Sequence, residues 1–385
     1  MPALFIAVLA LIAYGSLYPW HFAAEQLSGN PFVVLFTSWP HAMDRFVIRD
    51  VFVNIALYVP AGFTGHLAFR RWGKSWVSFA VPVLICAVHS GSIEMIQLWV
   101  PPRDCSLLDL ADNIAGAVLG VILAVAMEEV LVRRLELARP KHPPDRAALA
   151  LLLCFVISVL FPLFPVLGRA MLMQKARIFL HQPPLDLLTL LSAAVVWFAV
   201  GCLCQKASLH PARRYAALAV LLVPAQLFIV DRQPVPAALL GAISGTAAFA
   251  LLWRKAVAGA ALRKRAFALV FLATIAVRGL APFQFESVAG AFHWIPLAGF
   301  LNMDWQVAFQ VLAEKLFWYG AAVWLFMAAG LRPRAATAFV TTVLFAIEMA
   351  QTYQPGRVAE ITDPLLCVFA AFSLAMLARR HPSPF

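Results

Sequence analysis

The stretch Ser92–Asp109, SIEMIQLWVPPRDCSLLD, places charged and amide side chains within a strongly apolar sequence. A later stretch, Ile347–Asp363, reads IEMAQTYQPGRVAEITD. Both contain Ile-Glu-Met and follow the pattern E-x2-Q-x5-R-x5-D. The matching positions are Glu94, Gln97, Arg103 and Asp109 in the first stretch, and Glu348, Gln351, Arg357 and Asp363 in the second. Because charged residues are scarce in this chain, a polar pattern that recurs in one register predicts an internal repeat.

The composition around these stretches is that of a multi-pass membrane protein. The chain has 385 residues, of which 63% are apolar and 13% charged, and its mean hydropathy is +0.84. Soluble domains do not reach such values. A helix needs about 20 apolar residues to cross a bilayer, which predicts an all-α transmembrane bundle of about twelve spans. We place them near 3–20, 49–69, 76–99, 108–132, 148–167, 185–204, 214–231, 235–253, 265–284, 309–329, 335–353 and 363–379.

The distribution of basic residues predicts the orientation of these spans. The formal net charge is +11, and most of the 30 Lys and Arg residues fall in alternate loops between the spans or in the C-terminal tail. An excess of Lys and Arg marks cytoplasmic loops. We therefore predict a plasma-membrane protein with both termini in the cytoplasm. No basic face is left for nucleic acid, and the six cysteines, mostly inside predicted spans, indicate neither disulfides, a metal site nor a cofactor.

Polar residues recur at helical spacing in three of the first four spans. The second span carries Asp50, Asn54 and Tyr58 at positions i, i+4 and i+8. The third carries Glu94 and Gln97, and the fourth begins with Asp109 and Asn113. Polar stripes in membrane helices face protein or water, not lipid. We therefore predict that these side chains form one site near the outer surface, with Arg103 as the basic partner of the acids.

These residues together resemble the VanZ-like integral membrane family, over roughly residues 1–135. The resemblance rests on Asp50, Asn54 and Tyr58, on the Ile-Glu-x2-Gln motif with Arg103, and on Asp109 and Asp112-Asn113-x2-Gly116. It implies a protein of the bacterial cell envelope. The namesake of the family is associated with low-level resistance to the glycopeptide antibiotic teicoplanin. The resemblance supplies no catalytic residues.

The chain is predicted to contain three four-helix units, 1–135, 147–256 and 264–380. In the last unit Lys315 stands in place of Asn54, and we expect it to pair with Glu348. The middle unit keeps Gln226 and Arg232 in register, whereas Val223 and Ala238 replace the acids. It is either a degenerate copy or an ordinary set of four helices.

Three functions fit this pattern. The polar site could bind a lipid-linked glycan or a peptide of the envelope. A membrane enzyme or a transporter acting on such a molecule is a second possibility, although the chain has no G-x-S-x-G, H-E-x-x-H or P-loop motif. The third is a scaffold that meets other membrane proteins, in which the polar residues only fasten helices by interhelical hydrogen bonds.

The predicted orientation can be tested by accessibility labelling. A cysteine introduced at Pro102 should react with a membrane-impermeant maleimide added to intact cells, since the loop after the third span is predicted to be outside. The unsubstituted chain provides the background signal. Labelling only after the membrane is opened would contradict the orientation and the outer site together.

Overall fold

The computed structural model describes thirteen stretches of the chain. They are residues 2–23, 30–40, 42, 45–70, 75–101, 103–138, 145–162, 164–166, 168–181, 186–207, 215, 221–253 and 260–378. Pro102 lies outside them. The chain divides into two compact units, Met1–Arg139 and Pro140–Phe385. The predicted unit 1–135 lies in the first, and the predicted units 147–256 and 264–380 both lie in the second.

The described residues of the first unit form five helices, α1 to α5. In chain order they are α1 Pro2–Ser16, α2 Pro31–Thr37, α3 Arg45–Phe69, α4 Ser75–Gln97 and α5 Leu107–Ala138. The short helix α2 starts where the Asn30 side chain accepts a hydrogen bond from the Phe32 N–H group, an N-cap followed by proline in the first turn. Its Phe32 and Phe36 side chains are exposed, as suits a helix at a membrane interface.

Helices α3 and α5 make the closest packing of the first unit. Gly116 and Gly120 of α5 face the backbone of α3, where an added Cβ atom would collide with the carbonyl oxygens of Ile55 and Val59. Gly62 of α3 meets the carbonyl of Ala117 in the same way. Small residues allow membrane helices to approach this closely, because dispersion contacts take the place of the hydrophobic effect in lipid.

The described residues of the second unit include helices α6 to α14, a further helical segment at 221–225 and two very short strands. The helices are α6 Arg146–Leu160, α7 Arg169–His181, α8 Leu187–Lys206, α9 Pro236–Ala248, α10 Ala260–Leu280, α11 Ala298–Leu301, α12 Trp305–Ala328, α13 Pro333–Gln351 and α14 Thr362–Ala378. A π-helical turn, Phe249–Trp253, continues α9. Strands β1, Phe292–His293, and β2, Ala359–Glu360, pair in parallel.

Helix α12 is the centre of the second unit. It packs against α6, α10, α13 and α14, and every residue from Phe317 to Phe326 is buried. A helix that is apolar on all sides is typical of such a central position. Aromatic pairs join it to its neighbours: the rings of Phe155 and Phe317 lie 5.1 Å apart, and those of Phe271 and Trp318 lie 5.0 Å apart.

Five helices among the described residues are long and apolar enough to cross a membrane. They are Val47–Phe69, Trp76–Gln97, Leu107–Glu129, Leu187–Lys206 and Trp305–Ala328. Four shorter apolar helices are Pro2–Ser16, Arg146–Leu160, Pro236–Leu252 and Thr362–Leu377. An almost entirely helical multi-pass fold is thus present, whereas the predicted number of about twelve spans is not confirmed.

The predicted spans and the observed helices differ for reasons that can be found in each segment. The predicted span 265–284 belongs to α10, which carries Arg263, Lys264 and Arg265 near its start. The predicted span 214–231 lies partly outside the described residues, and its end forms a 3-10 turn, Gln226–Phe228. Helix α7 was not predicted because its composition is too polar; its buried Lys175 amine donates to the carbonyls of Ile229 and Val230. Burial lowers the pKa of this amine.

The glycine contact can be tested by adding a single methyl group. Gly116→Ala should destabilise the protein by about 1 to 3 kcal/mol, because the new Cβ forces α5 away from the Ile55 carbonyl. Gly91→Ala is the matched control: its Cβ would meet only Leu110 Cδ1 at 3.9 Å, an ordinary contact. Thermal unfolding of the purified protein measures both, and equal midpoints would contradict the close packing.

Candidate functional site

Polar residues of the first unit meet at one end of its helices. Helices α1 and α4 end there, at Ser16 and Gln97, and α5 begins there at Leu107. The segment Arg103–Ser106 leads into α5. Because antiparallel neighbours bring the end of one helix beside the start of the next, the sequence-distant members of the motif come together.

Glu94 holds the start of α5. Its Oε2 atom accepts a hydrogen bond of 2.9 Å from the backbone N–H of Ser106, and its side chain is only 3% exposed. The Ser106 hydroxyl in turn accepts from the N–H of Asp109 at 3.2 Å, the arrangement of a helix N-cap. Glu94 therefore satisfies a backbone donor at the helix start, where no intrahelical partner exists.

Gln97 and Arg103 hold the end of α1. The amide Nε2 of Gln97 donates to the Ser16 carbonyl at 2.9 Å. Arg103 Nε donates to the Tyr18 carbonyl at 3.2 Å, and Tyr18 precedes Pro19. We call Glu94, Gln97 and Arg103 the fastening residues, since each bonds a backbone group of another segment.

The expected pairing of Arg103 with the acids is not found. Among the described residues, no salt bridge joins Arg103 to Glu94 or Asp109. The reason is the position of Arg103 on the segment after α4, where its side chain is directed to the end of α1. Arginine is well suited to this role, because its guanidinium stays charged and donates in a fixed geometry.

Asp109 lies beside two polar residues of α3. Asn54 and Asp50 are close enough for the Asn54 amide and the Asp50 charge to act on the Asp109 carboxyl group. Asp50 is exposed, whereas Asn54 and Asp109 are partly buried. We call Asp50, Asn54 and Asp109 the acidic site. The structure thus brings together the polar residues that the sequence predicted on α3 and α5.

Deeper along the same helices, polar side chains bond one another. Tyr58 OH lies 3.0 Å from His89 Nδ1, and Asn113 Nδ2 donates to Ser90 Oγ at 2.9 Å. Two buried acceptor atoms, Asp112 Oδ2 and Asn113 Oδ1, have no hydrogen-bond partner within the described residues. Such atoms are costly unless a water or a ligand meets them.

Ser106 and Cys105 also belong to this end of the unit, although neither was predicted as part of the site. Ser106 carries the signature of a helix start, a serine three residues before an acid and at the head of an apolar run. Cys105 is buried beside the acids: burial raises the pKa of its thiol to about 11, and the charges of Glu94 and Asp109 act in the same direction. This end of the unit is therefore electronegative.

The second motif makes the same three kinds of contact. Glu348 Oε2 accepts from the N–H of Glu360 at 2.9 Å. Gln351 Nε2 donates to the Gly279 carbonyl at 2.9 Å. Arg357 donates to the Ala281 carbonyl at 2.9 Å, and Ala281 precedes Pro282. The three predicted positions therefore bond backbone groups, as their counterparts do in the first unit.

Lys315 departs from the expectation of a pairing with Glu348. Its amine forms a salt bridge with Asp363, and the Tyr319 hydroxyl donates to the other oxygen of the same carboxylate. The charges of Asp363 and Lys315 both act on Glu348, but one of its oxygens accepts a hydrogen bond from the Glu360 backbone N–H. Asp363 begins α14 next to α12, so it is better placed to receive both side chains.

The middle segment keeps one of these contacts. Arg232 Nε donates to the Phe161 carbonyl at 2.8 Å, and Phe161 precedes Pro162. Arg103, Arg232 and Arg357 thus each bond the carbonyl of a residue that precedes a proline. The middle segment has no acids at the equivalent positions. Within the part of the chain that the structure describes, no cluster of three His, Cys, Asp or Glu side chains could hold a metal ion.

An almost entirely helical chain with five helices of membrane-crossing length is a multi-pass membrane protein by its fold. Residues 3–133 match the family model described as VanZ/LLP1. The first unit is therefore VanZ-like, and the resemblance predicted from its polar motif is confirmed. The match does not extend to residues 264–380. No curated protein matches the chain, and no solved structure does.

The ion pair of the second motif can be tested by a double-mutant cycle. Lys315→Met should destabilise the protein by about 2 kcal/mol, because it leaves the nearly buried Asp363 carboxylate without its cation. Adding Asp363→Asn should restore part of that loss. Arg70→Gln, which breaks a more exposed pair with Glu128, should cost at most about 1 kcal/mol.

Chemical denaturation monitored by tryptophan fluorescence would provide these values. If the double variant is no more stable than Lys315→Met, the ion pair is not the source of the loss.

Proposed function

We propose that the first unit binds the polar part of an amphipathic envelope molecule, lipid-linked or of the glycopeptide type, at the acidic site. The observation that carries this proposal is the group Asp50, Asn54 and Asp109, whose acceptors gather at a partly exposed end of α3 and α5. Since the fastening residues are engaged with backbone, the acidic site is what remains for a ligand.

The chemistry of the site favours a ligand that donates hydrogen bonds. Carboxylates accept hydrogen bonds and do not donate them. Asp112 Oδ2 and Asn113 Oδ1 are two further acceptors that have no partner among the described residues. Amino, amide and hydroxyl groups of a peptide or a sugar supply such donors. A phosphate would meet repulsion from the acids, and no described salt bridge joins Arg103 to Glu94 or Asp109 to reduce their charge.

The position of the site favours an amphipathic molecule. Asp109 lies in the first turn of a helix that is apolar enough to cross the membrane, so the site is near the boundary of the hydrocarbon. Polar residues at such a depth usually mark a functional site. By the positive-inside rule this end faces the outside of the plasma membrane, with both termini in the cytoplasm.

We further infer that 147–256 and 264–380 are divergent copies of the first unit. The support is the shared contact of Arg103, Arg232 and Arg357 with a carbonyl before a proline. In the last copy Lys315 neutralises Asp363, and the middle copy has Ala238 at the position of Asp109. Among the described residues, only the first unit keeps an acid without a basic partner at this position of the motif, so binding and any glycopeptide resistance are assigned to it.

A scaffold is the second candidate function. The fastening residues each bond a backbone group, which is what a purely structural motif would do. In that case the protein would meet other membrane proteins, and the acidic site would have no ligand of its own.

The two candidates differ in what each substitution should do. Asp109→Asn should weaken ligand binding about tenfold, because one charged acceptor is lost, and should leave the unfolding midpoint nearly unchanged. Glu94→Ala should destabilise the protein by about 1 to 3 kcal/mol, because the Ser106 N–H loses its buried partner. Asp104→Asn, at an exposed acid of the same loop, is the matched control.

Molecules that copurify with each variant would be identified and quantified by mass spectrometry, and the teicoplanin susceptibility of cells producing it would be measured. A normal amount of copurified molecule and unchanged susceptibility with Asp109→Asn would leave the scaffold as the function.

A further inference from the structure

A cavity of about 420 Å³ opens within the second unit, among α6, α8, α10 and α12. Its walls include the aromatic side chains of Phe155, Trp197 and Trp318. Polar residues also line it, among them Ser158, Ser192, Arg232, Arg278 and Glu314. None of these residues belongs to the acidic site. The cavity is lined by two arginines and one acid, whereas the acidic site contains no basic residue.

Two guanidinium groups give the cavity an excess of positive charge. Arg278 stacks on the Trp318 ring at 4.6 Å and pairs with Glu314 at 3.0 Å. Arg232 donates to the carbonyls of Phe161 and Ser158, and the charges of Glu314 and Asp231 also act on it. Asp231 does not line the cavity, whose wall contains two arginines and one carboxylate, Glu314. The lining itself therefore carries one more positive charge than negative charge.

Ser192 indicates that this space receives a polar group. Its side-chain oxygen is buried and has no hydrogen-bond partner among the described residues, although it lies on the cavity wall. The residue is only 7% exposed. A buried hydroxyl without a partner is unfavourable, whereas a phosphate oxygen would accept its hydrogen bond.

We propose that this cavity binds the phosphate headgroup of an anionic lipid. The planar, charged guanidinium fork matches phosphate oxygens, and the Ser192 hydroxyl adds a donor. The aromatic and aliphatic walls suit the glycerol and the first carbons of the acyl chains. Helices α8 and α12, which form two of the walls, are both of membrane-crossing length and composition, so a lipid can reach the cavity within the bilayer.

The test is a pair of substitutions that break the same salt bridge and should act in opposite directions. Arg278→Gln should weaken the binding of dioleoylphosphatidylglycerol about tenfold, because a charged donor is lost. Glu314→Gln should strengthen it about threefold, because a repelling charge is removed while Arg278 is set free. A merely structural effect of the broken pair would shift both dissociation constants in one direction.

Native mass spectrometry of the detergent-purified full-length chain would measure the dissociation constants. Arg265→Gln, which removes the same charge near the other end of α10, is the matched control and should leave binding unchanged. Asp109→Asn should also leave it unchanged, so failure of this proposal and failure of the acidic site are distinguishable.

Three outcomes would overturn the assignment. One is equal affinity for dioleoylphosphatidylcholine, which would show that the anionic headgroup is not selected. Another is equal binding of inorganic phosphate, which would indicate a site for a free anion. The third is a shift of the Arg278→Gln and Glu314→Gln variants in the same direction.

Discussion

The structure depends on a requirement that hydrocarbon imposes on the polypeptide backbone. Donors and acceptors at the ends of membrane helices have no intrahelical partner, and lipid offers none. Glu94 meets the Ser106 N–H at the start of α5, and Arg103 meets the Tyr18 carbonyl after α1. Polar side chains that look out of place in an apolar sequence therefore complete the hydrogen bonding of the helix ends.

This use of the fastening residues separates stability from binding. Once Glu94, Gln97 and Arg103 are engaged with backbone groups, the acids of α3 and α5 are the groups left to meet another molecule. The second motif differs from the first in the surroundings of its aspartate. There Asp363 is held by Lys315 and Tyr319, and an acid satisfied by its own protein has less to offer a ligand. The fastening contacts are therefore the property that both motifs share.

The cavity in the second unit is formed mainly by residues outside the repeated polar motif. It lies where Arg232, the one fastening contact kept by the middle segment, comes close to Glu314 near the start of α12. Sequence spacing does not predict it, because its polar residues are spread over several segments from Ser158 to Glu314. Arg278 and Glu314 have no place in the repeated pattern, and only the packing of α10 against α12 pairs them.

The sequence by itself determined the membrane class, the VanZ-like character of the first unit and the helices that carry its polar residues, but not the part of Ser106 and Cys105. It could do so because hydropathy and the spacing of polar residues along a helix are local properties of the chain. The partners of those residues were decided only by the tertiary structure. Arg103 bonds a carbonyl 85 positions earlier in the chain, and Lys315 bonds Asp363 in place of Glu348. Which partner a side chain bonds depends on distances of a few ångströms between helices. Side-chain packing sets these distances, and the spacing of residues along the chain does not.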